Sequence, residues 1–336
     1  MENLYELDSF HNFTIPPLTQ EERKLFIRKQ FPSDNQHIAN IIINKLSEKK
    51  NIQYHQLLNT PLLIILCILN FQYNRDLPLK KSEFYGRVFD ALYQGHDWRS
   101  KTGFERTRRC KLMREDYISI LEIFSFYTHF KSIFLFSKEC IFEVFKIIRN
   151  LEKRNRLVKN TIDTYLLDDL TVAINILIID GNYYSFPHKS FQEYFCANYV
   201  ISKTEDERKH IYAKFIDLFC NGKAHQLTFP ILSILYEKDD IVFINNFILP
   251  LLNNIQRIIK KEIFCISVDS QKISYLLSMI NEMIYGFDEY AYNRGAFTLG
   301  KMENHLYEIE KITTYFYNSL KERKDENDFF INELNI

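Results

Sequence analysis

A mainly α-helical protein with one short β-hairpin is what this sequence predicts, and three observations carry the prediction. Glycine and proline number only 8 each in 336 residues, while Phe (29) and Tyr (21) are abundant, a bias toward long helices with aromatic-rich cores. Helix-start signatures recur, as Thr19-x-x-Glu22, Asn59-Thr60-Pro61 and Ser190-x-x-Glu193, each able to satisfy the free N–H groups of a first helical turn. Only the stretch after Gly181 sets aromatic, β-prone residues behind a turn.

Taken in order, Phe13-Thr14-Ile15 before Pro16-Pro17 reads as a short terminal strand. Thr19 and Glu22 open a helix that runs to Phe31 and stops at Pro32. A second helix starts at Asp34, with Ile38, Ile41, Ile42 and Leu46 on one face. A weaker third covers about 53 to 58. Pro61 stands at the first position of a helix that is apolar nearly all round to Phe71 and must be buried. Ser82 caps the next, with Phe84, Tyr85, Val88, Phe89 and Leu92 at helical spacing.

A loop from Gly95 to Met113 carries Arg99, Lys101, Arg106, Arg108, Arg109 and Lys111 against only Asp97 and Glu105. Two readings compete, a phosphate or nucleic-acid patch and a solvated interdomain linker with some ion pairs to its neighbours, and the neutral overall charge favours the linker. Helices follow at about 115 to 130 and 138 to 154, the latter opened by Ser137. Residues 161 to 179 read as one further helix, although Val172 to Ile179 is β-branched enough to end as strand. Three helices, a short aromatic hairpin and another helix form the pattern of a winged-helix unit. Beyond it, helices are expected at about 206 to 220, 224 to 236, 240 to 260 with an interruption at Pro250, 270 to 285 and 302 to 324. The domains are therefore 1–18, a terminal remnant; 19–98, helical; 99–113, basic linker; 114–203, winged helix; and 204–336, a C-terminal helical region.

Charge and composition exclude several function classes. Lys+Arg and Asp+Glu both number 43, so no global field draws the chain to nucleic acid or to a membrane surface. The longest apolar runs fall short of the roughly 20 residues that span a bilayer. The six cysteines are scattered, with no Cys-x-x-Cys and no His at metal-ligand spacing, and read as reduced residues of a cytoplasmic protein rather than metal ligands. No His-Glu-x-x-His or Gly-x-Ser-x-Gly occurs, and acidic pairs such as Asp168-Asp169 read as solvated helical faces.

One corner stands out. The strand after Gly181 feeds directly into a helix start, placing His188, Lys189 and the first N–H groups of the helix in one small volume at the positive end of its dipole. An anion, phosphate above all, suits such a corner. A histidine that merely ends a strand is the plain alternative.

Phe186-Pro187-His188-Lys189-Ser190-Phe191-Gln192-Glu193-Tyr194-Phe195-Cys196-Ala197 resembles the F-x-H-x-S-F-Q-E-Y-x-A-A block in the winged-helix region of NACHT ATPases, the signalling ATPases that include Nod-like receptors and bacterial anti-phage proteins. Asn59-Thr60-Pro61-Leu62-Leu63-Ile64-Ile65-Leu66-Cys67-Ile68-Leu69 is similar to the N-P-L-L-L-x-x-L-x-x-L helix of that family. Between them, Leu77-Pro78 and Phe84-Tyr85 to Leu92-Tyr93 look like its "LP…ELY" helix, and Phe13 to Phe31 looks like the end of the ATPase core, its remnant at 1–18, running into the helical domain, so the resemblance covers about residues 10 to 203. It implies that His188 contacts the β-phosphate of bound ADP and that Pro61 packs near the adenine. For Pro61 the plain alternative is the stronger one, because Pro at the first turn of a helix is good helix grammar and needs no ligand.

The departure from the family is as informative. A G-x-x-x-x-G-K-[ST] loop and an acidic strand end should precede residue 10, and the sequence carries neither there. The near-match Gly295-Ala296-Phe297-Thr298-Leu299-Gly300-Lys301-Met302 has Met where a hydroxyl would bind Mg²⁺, and lies on the wrong side of the winged helix. The resemblance thus implies the regulatory part of a NACHT-type ATPase that is not an enzyme by itself. It would bind ADP or ATP with a nucleotide-binding core supplied in cis or in trans, and oligomerise on activation. A stand-alone helical adaptor and a winged-helix DNA binder using Arg99 to Arg114 are the alternatives.

Overall fold

The computed structural model describes residues 16–48, 51, 54–58, 60–78, 80–94, 107–151, 160–220, 226–251 and 254. They are mainly helical, with one two-stranded antiparallel sheet. Among the described residues no helix is long and apolar enough to cross a membrane. The chain divides into two compact units, Met1–Ala91 with Asp97–Lys101, and Leu92–His96 with Thr102–Ile336.

In the first unit, α1 (Gln20–Lys29) starts where the sequence places it. Thr19 Oγ1 accepts from the Glu22 N–H and Glu22 returns a carboxylate to the Thr19 N–H at 2.8 Å, the full capping box. A 3₁₀ turn at Ser33–Asn35 delays α2 (Gln36–Leu46) by two residues relative to the Asp34 start. After α3 (Tyr54–Leu57) and α4 (Pro61–Asn74), Arg75 ends α4 in the left-handed region at φ 54°. Leu63, Ile64, Leu66, Cys67, Ile68 and Phe71 are buried, as an all-round apolar helix requires. Cys67 has its thiol pushed up to about 12 by that burial. Ser82 does not cap the next helix, α5 (Lys81–Tyr93): it lies inside the first turn and is buried, while the Lys80 carbonyl accepts from Phe84 N–H. Tyr54, fully buried, donates to the Pro78 carbonyl at 2.7 Å and meets Phe84 edge-on.

The second unit contains α6 (Arg114–Phe130), α7 (Lys138–Leu151) and a short α8 (Asp163–Asp168). Ser137 opens α7 as predicted, its Oγ accepting from Cys140 N–H at 3.2 Å. The stretch 161–179 is not one helix. α8 widens into a π turn at Asp169–Ala173, Asn175 turns left-handed at φ 59°, and the β-branched end becomes β1 (Ile178–Asp180). β1 pairs antiparallel with β2 (Tyr183–Ser185) through a two-residue turn whose Gly181 sits at φ 58°. One contact was not visible in the sequence. Phe136, alone between α6 and α7, exchanges two 2.8 Å backbone hydrogen bonds with Tyr184. It thereby adds a single-residue third strand on the far side of β2 from β1. Its ring is buried edge-on against Phe124 and Phe186.

α9 (Lys189–Ile201) is the centre of this unit, packing on α6 and on α11 (Phe229–Phe243), with α10 (Glu205–Cys220) beside it. Phe191, Phe195, Cys196, Ala197 and Val200 are fully buried in α9. Pro250 does not interrupt its helix among the described residues, which are helical on both sides of it. The break occurs earlier, at Asp239 (φ −139°, ψ 38°), and a π turn at Ile244–Ile248 precedes the proline. The wider turn moves the carbonyls that a proline ring meets in a regular α-helix. The strand at 13–15, the helices at 270–285 and 302–324 and the 295–302 loop lie outside the described residues.

Candidate functional site

The corner before α9 is built differently from the Ser190-Glu193 box that the sequence suggests. α9 begins at Lys189, so Ser190 is its second residue and the cap is His188, in extended backbone at φ −149°, ψ 141°. The His188 Nδ1 accepts from the Ser190 N–H at 3.2 Å, doing with a ring nitrogen what a Ser or Asp oxygen usually does. Ser190 Oγ lies 2.7 Å from the same nitrogen. The His188 carbonyl accepts from Phe191 N–H at 3.1 Å. The free N–H cluster expected at this helix start is therefore partly consumed by the histidine itself.

Burial alone holds the His188 pKa below the ordinary histidine value, so the ring is neutral near pH 7. Lys189 is half-exposed and divided between two neighbours: its Nζ lies 5.0 Å over the Phe134 ring and 3.6 Å from the Glu193 carboxylate. Glu193 is buried, and desolvation raises its pKa against the pull of Lys189. Gln192, also buried, fastens α9 to the neighbouring segments, donating to Thr128 Oγ1 at 2.8 Å and to the Ile133 carbonyl at 3.0 Å.

Pro61 is the first residue of α4, with Thr60 Oγ1 accepting from Leu63 N–H at 3.4 Å. Pro61 belongs to the first unit and His188 to the second. The described part of the basic stretch, 107–113, spends its arginines internally. Arg108 donates to the Tyr93 carbonyl at 2.8 Å and lies 4.2 Å over the Tyr93 ring; Arg109 pairs with Asp168 at 2.8 Å and faces Tyr165.

Asp169 corrects the reading of the acidic pair as a solvated face. It is 1% exposed and accepts from Arg109 N–H at 2.6 Å, Cys110 N–H at 2.8 Å and the Tyr117 hydroxyl at 2.6 Å. The adjoining Cys110 thiol is pushed up to about 12, by burial first and then by Asp169. No local pattern announces this clasp, because its donors stand dozens of residues away in sequence. Among the described residues no group of His, Cys, Asp and Glu side chains could hold a metal ion.

The chain matches no family model and no curated protein.

Proposed function

We propose that this chain is the regulatory part of a NACHT-type signalling ATPase, an ADP-sensing lid whose nucleotide-binding core is supplied in cis or in trans. One observation supports it above the others. The order helix, single-residue strand, helix, helix, hairpin, with Phe136 pairing to the second hairpin strand, is compatible with a winged helix, and a histidine caps the helix that follows. In this reading His188 reaches the β-phosphate of ADP from the lid side, Pro61 borders the base, and a trigger that releases the lid permits oligomerisation, as in anti-phage or innate immune signalling.

DNA binding is the weaker reading. The helix before the hairpin carries Asp163, Asp168 and Asp169 and no Lys or Arg, and Arg108 and Arg109 are already paired. A protein-binding adaptor without nucleotide dependence has one observation in its favour, the exposed Ile178, Ile179 and Tyr183 of the hairpin.

The deciding experiment purifies the chain assembled with its core and measures retained nucleotide by chromatography after denaturation. His188→Ala is expected to lose most of the ADP and to raise basal signalling. Unchanged ADP release together with unchanged signalling would sink the lid and leave the adaptor.

A further inference from the structure

We infer that Ser190 is a positioning residue that holds His188 with its proton on Nε2, making the corner a hydrogen-bond donor to an acceptor oxygen and closing it to metal ions. A backbone N–H can only donate, so the 3.2 Å contact from Ser190 N requires a bare lone pair on Nδ1. With that lone pair in place the Ser190 hydroxyl, at 2.7 Å, must donate as well. Ser190 is 6% exposed, so its hydroxyl has little water to turn to, and the two donors fix both the tautomer and the plane of the ring. In a neutral imidazole the remaining proton is then on Nε2. That nitrogen has no hydrogen-bond partner among the described residues, and the ring is only half-buried.

The chemistry of the ligand follows. A metal ion needs a bare ring nitrogen, and here one is engaged and the other protonated. An oxygen that only accepts, as in a phosphate, fits the Nε2 N–H. Because the ring is neutral, recognition rests on direction rather than on imidazolium charge. Naming that oxygen as a phosphate rests on the lid reading above; the tautomer does not.

The test uses the full chain labelled with ¹⁵N-histidine, the His188 signals being assigned by their loss in His188→Gln. Long-range proton–nitrogen spectra are expected to show Nε2 protonated and Nδ1 bare. Ser190→Ala keeps the backbone donor but loses the hydroxyl, so Nδ1 is expected to stay bare while its shift moves with the lost hydrogen bond, and Ser190→Thr, which keeps the hydroxyl, to restore it. A proton on Nδ1 in the wild type, or identical shifts in Ser190→Ala, overturns the inference. In the assembled protein Ser190→Ala should lower ADP retention several-fold, with rescue by Ser190→Thr. If the shifts move as expected while neither Ser190→Ala nor His188→Ala alters ADP release, the positioning stands and the nucleotide reading falls.

Discussion

Two polar sites in the second unit invite comparison: the Asp169 clasp and the His188 corner. One lies where a helix widens and the other where a helix begins, and each side chain accepts from backbone N–H, two groups at Asp169 and one at His188. At Asp169 the carboxylate is buried and meets three donors from two segments, so nothing is left to offer a ligand. At His188 one ring nitrogen is engaged by Ser190 and the other has no hydrogen-bond partner among the described residues. Saturation marks the first as structural, and the donor left over at the second is what the lid reading uses.

Substitution should separate the two sites by size of effect. Asp169→Ala would strand two buried donors and one part-buried one, and truncating one side of such a charge-assisted set costs about 3 to 5 kcal/mol. Urea unfolding should register a loss of that order, and a loss under 1 kcal/mol would place Asp169 on the surface after all. His188→Ala removes a helix cap and should cost about 1 kcal/mol. His188→Asn sharpens the contrast, since Asn caps well: stability should stay within about 0.5 kcal/mol of wild type while the Nε2 N–H is lost. Equal losses of stability and of ADP retention in both His188 variants would erase the distinction between the sites.

The sequence told the local half of this story. The Thr19-Glu22 box and the Ser137 cap were readable because every participant lies within one turn. The Ser190-Glu193 box has the same spacing and fails, because the preceding His188 ring takes the cap and moves the helix start forward. Asp169 and Phe136 were unreadable for another reason: their partners come from distant segments, and a one-residue strand has no periodicity.

Acidity supplies a further test. Burial depresses the folded-state pKa of both His188 and His129, the latter fully inside with Nε2 at 2.8 Å from the Gln226 carbonyl. A histidine kept neutral by folding contributes stability that is complete above its unfolded pKa, about 6.5, and is lost as pH falls through the depressed value. Thermal unfolding should therefore be flat from pH 8 to about 7 and fall below about 6.5. His188→Asn should lessen that fall slightly, and an identical acid limb in the variant would show that His188 takes no part. A change no larger than that of His188→Ala is expected at the hairpin. Gly181→Ala places a side chain at φ 58° with open space around it, so only the backbone objects, at about 1 kcal/mol. Gly181→Asn should cost less.

Phe136 also bears on how the chain finds its fold. The hairpin can close through its own two-residue turn early and cheaply, but its third strand is delivered from the other side of α7 and α8. Two backbone hydrogen bonds and one aromatic ring must meet across a long intervening loop, whose closure entropy precedes any reward. The docking of the hairpin onto the helices thus belongs to the late, non-local part of folding, and a trimmed ring at position 136 should speed unfolding far more than it slows refolding.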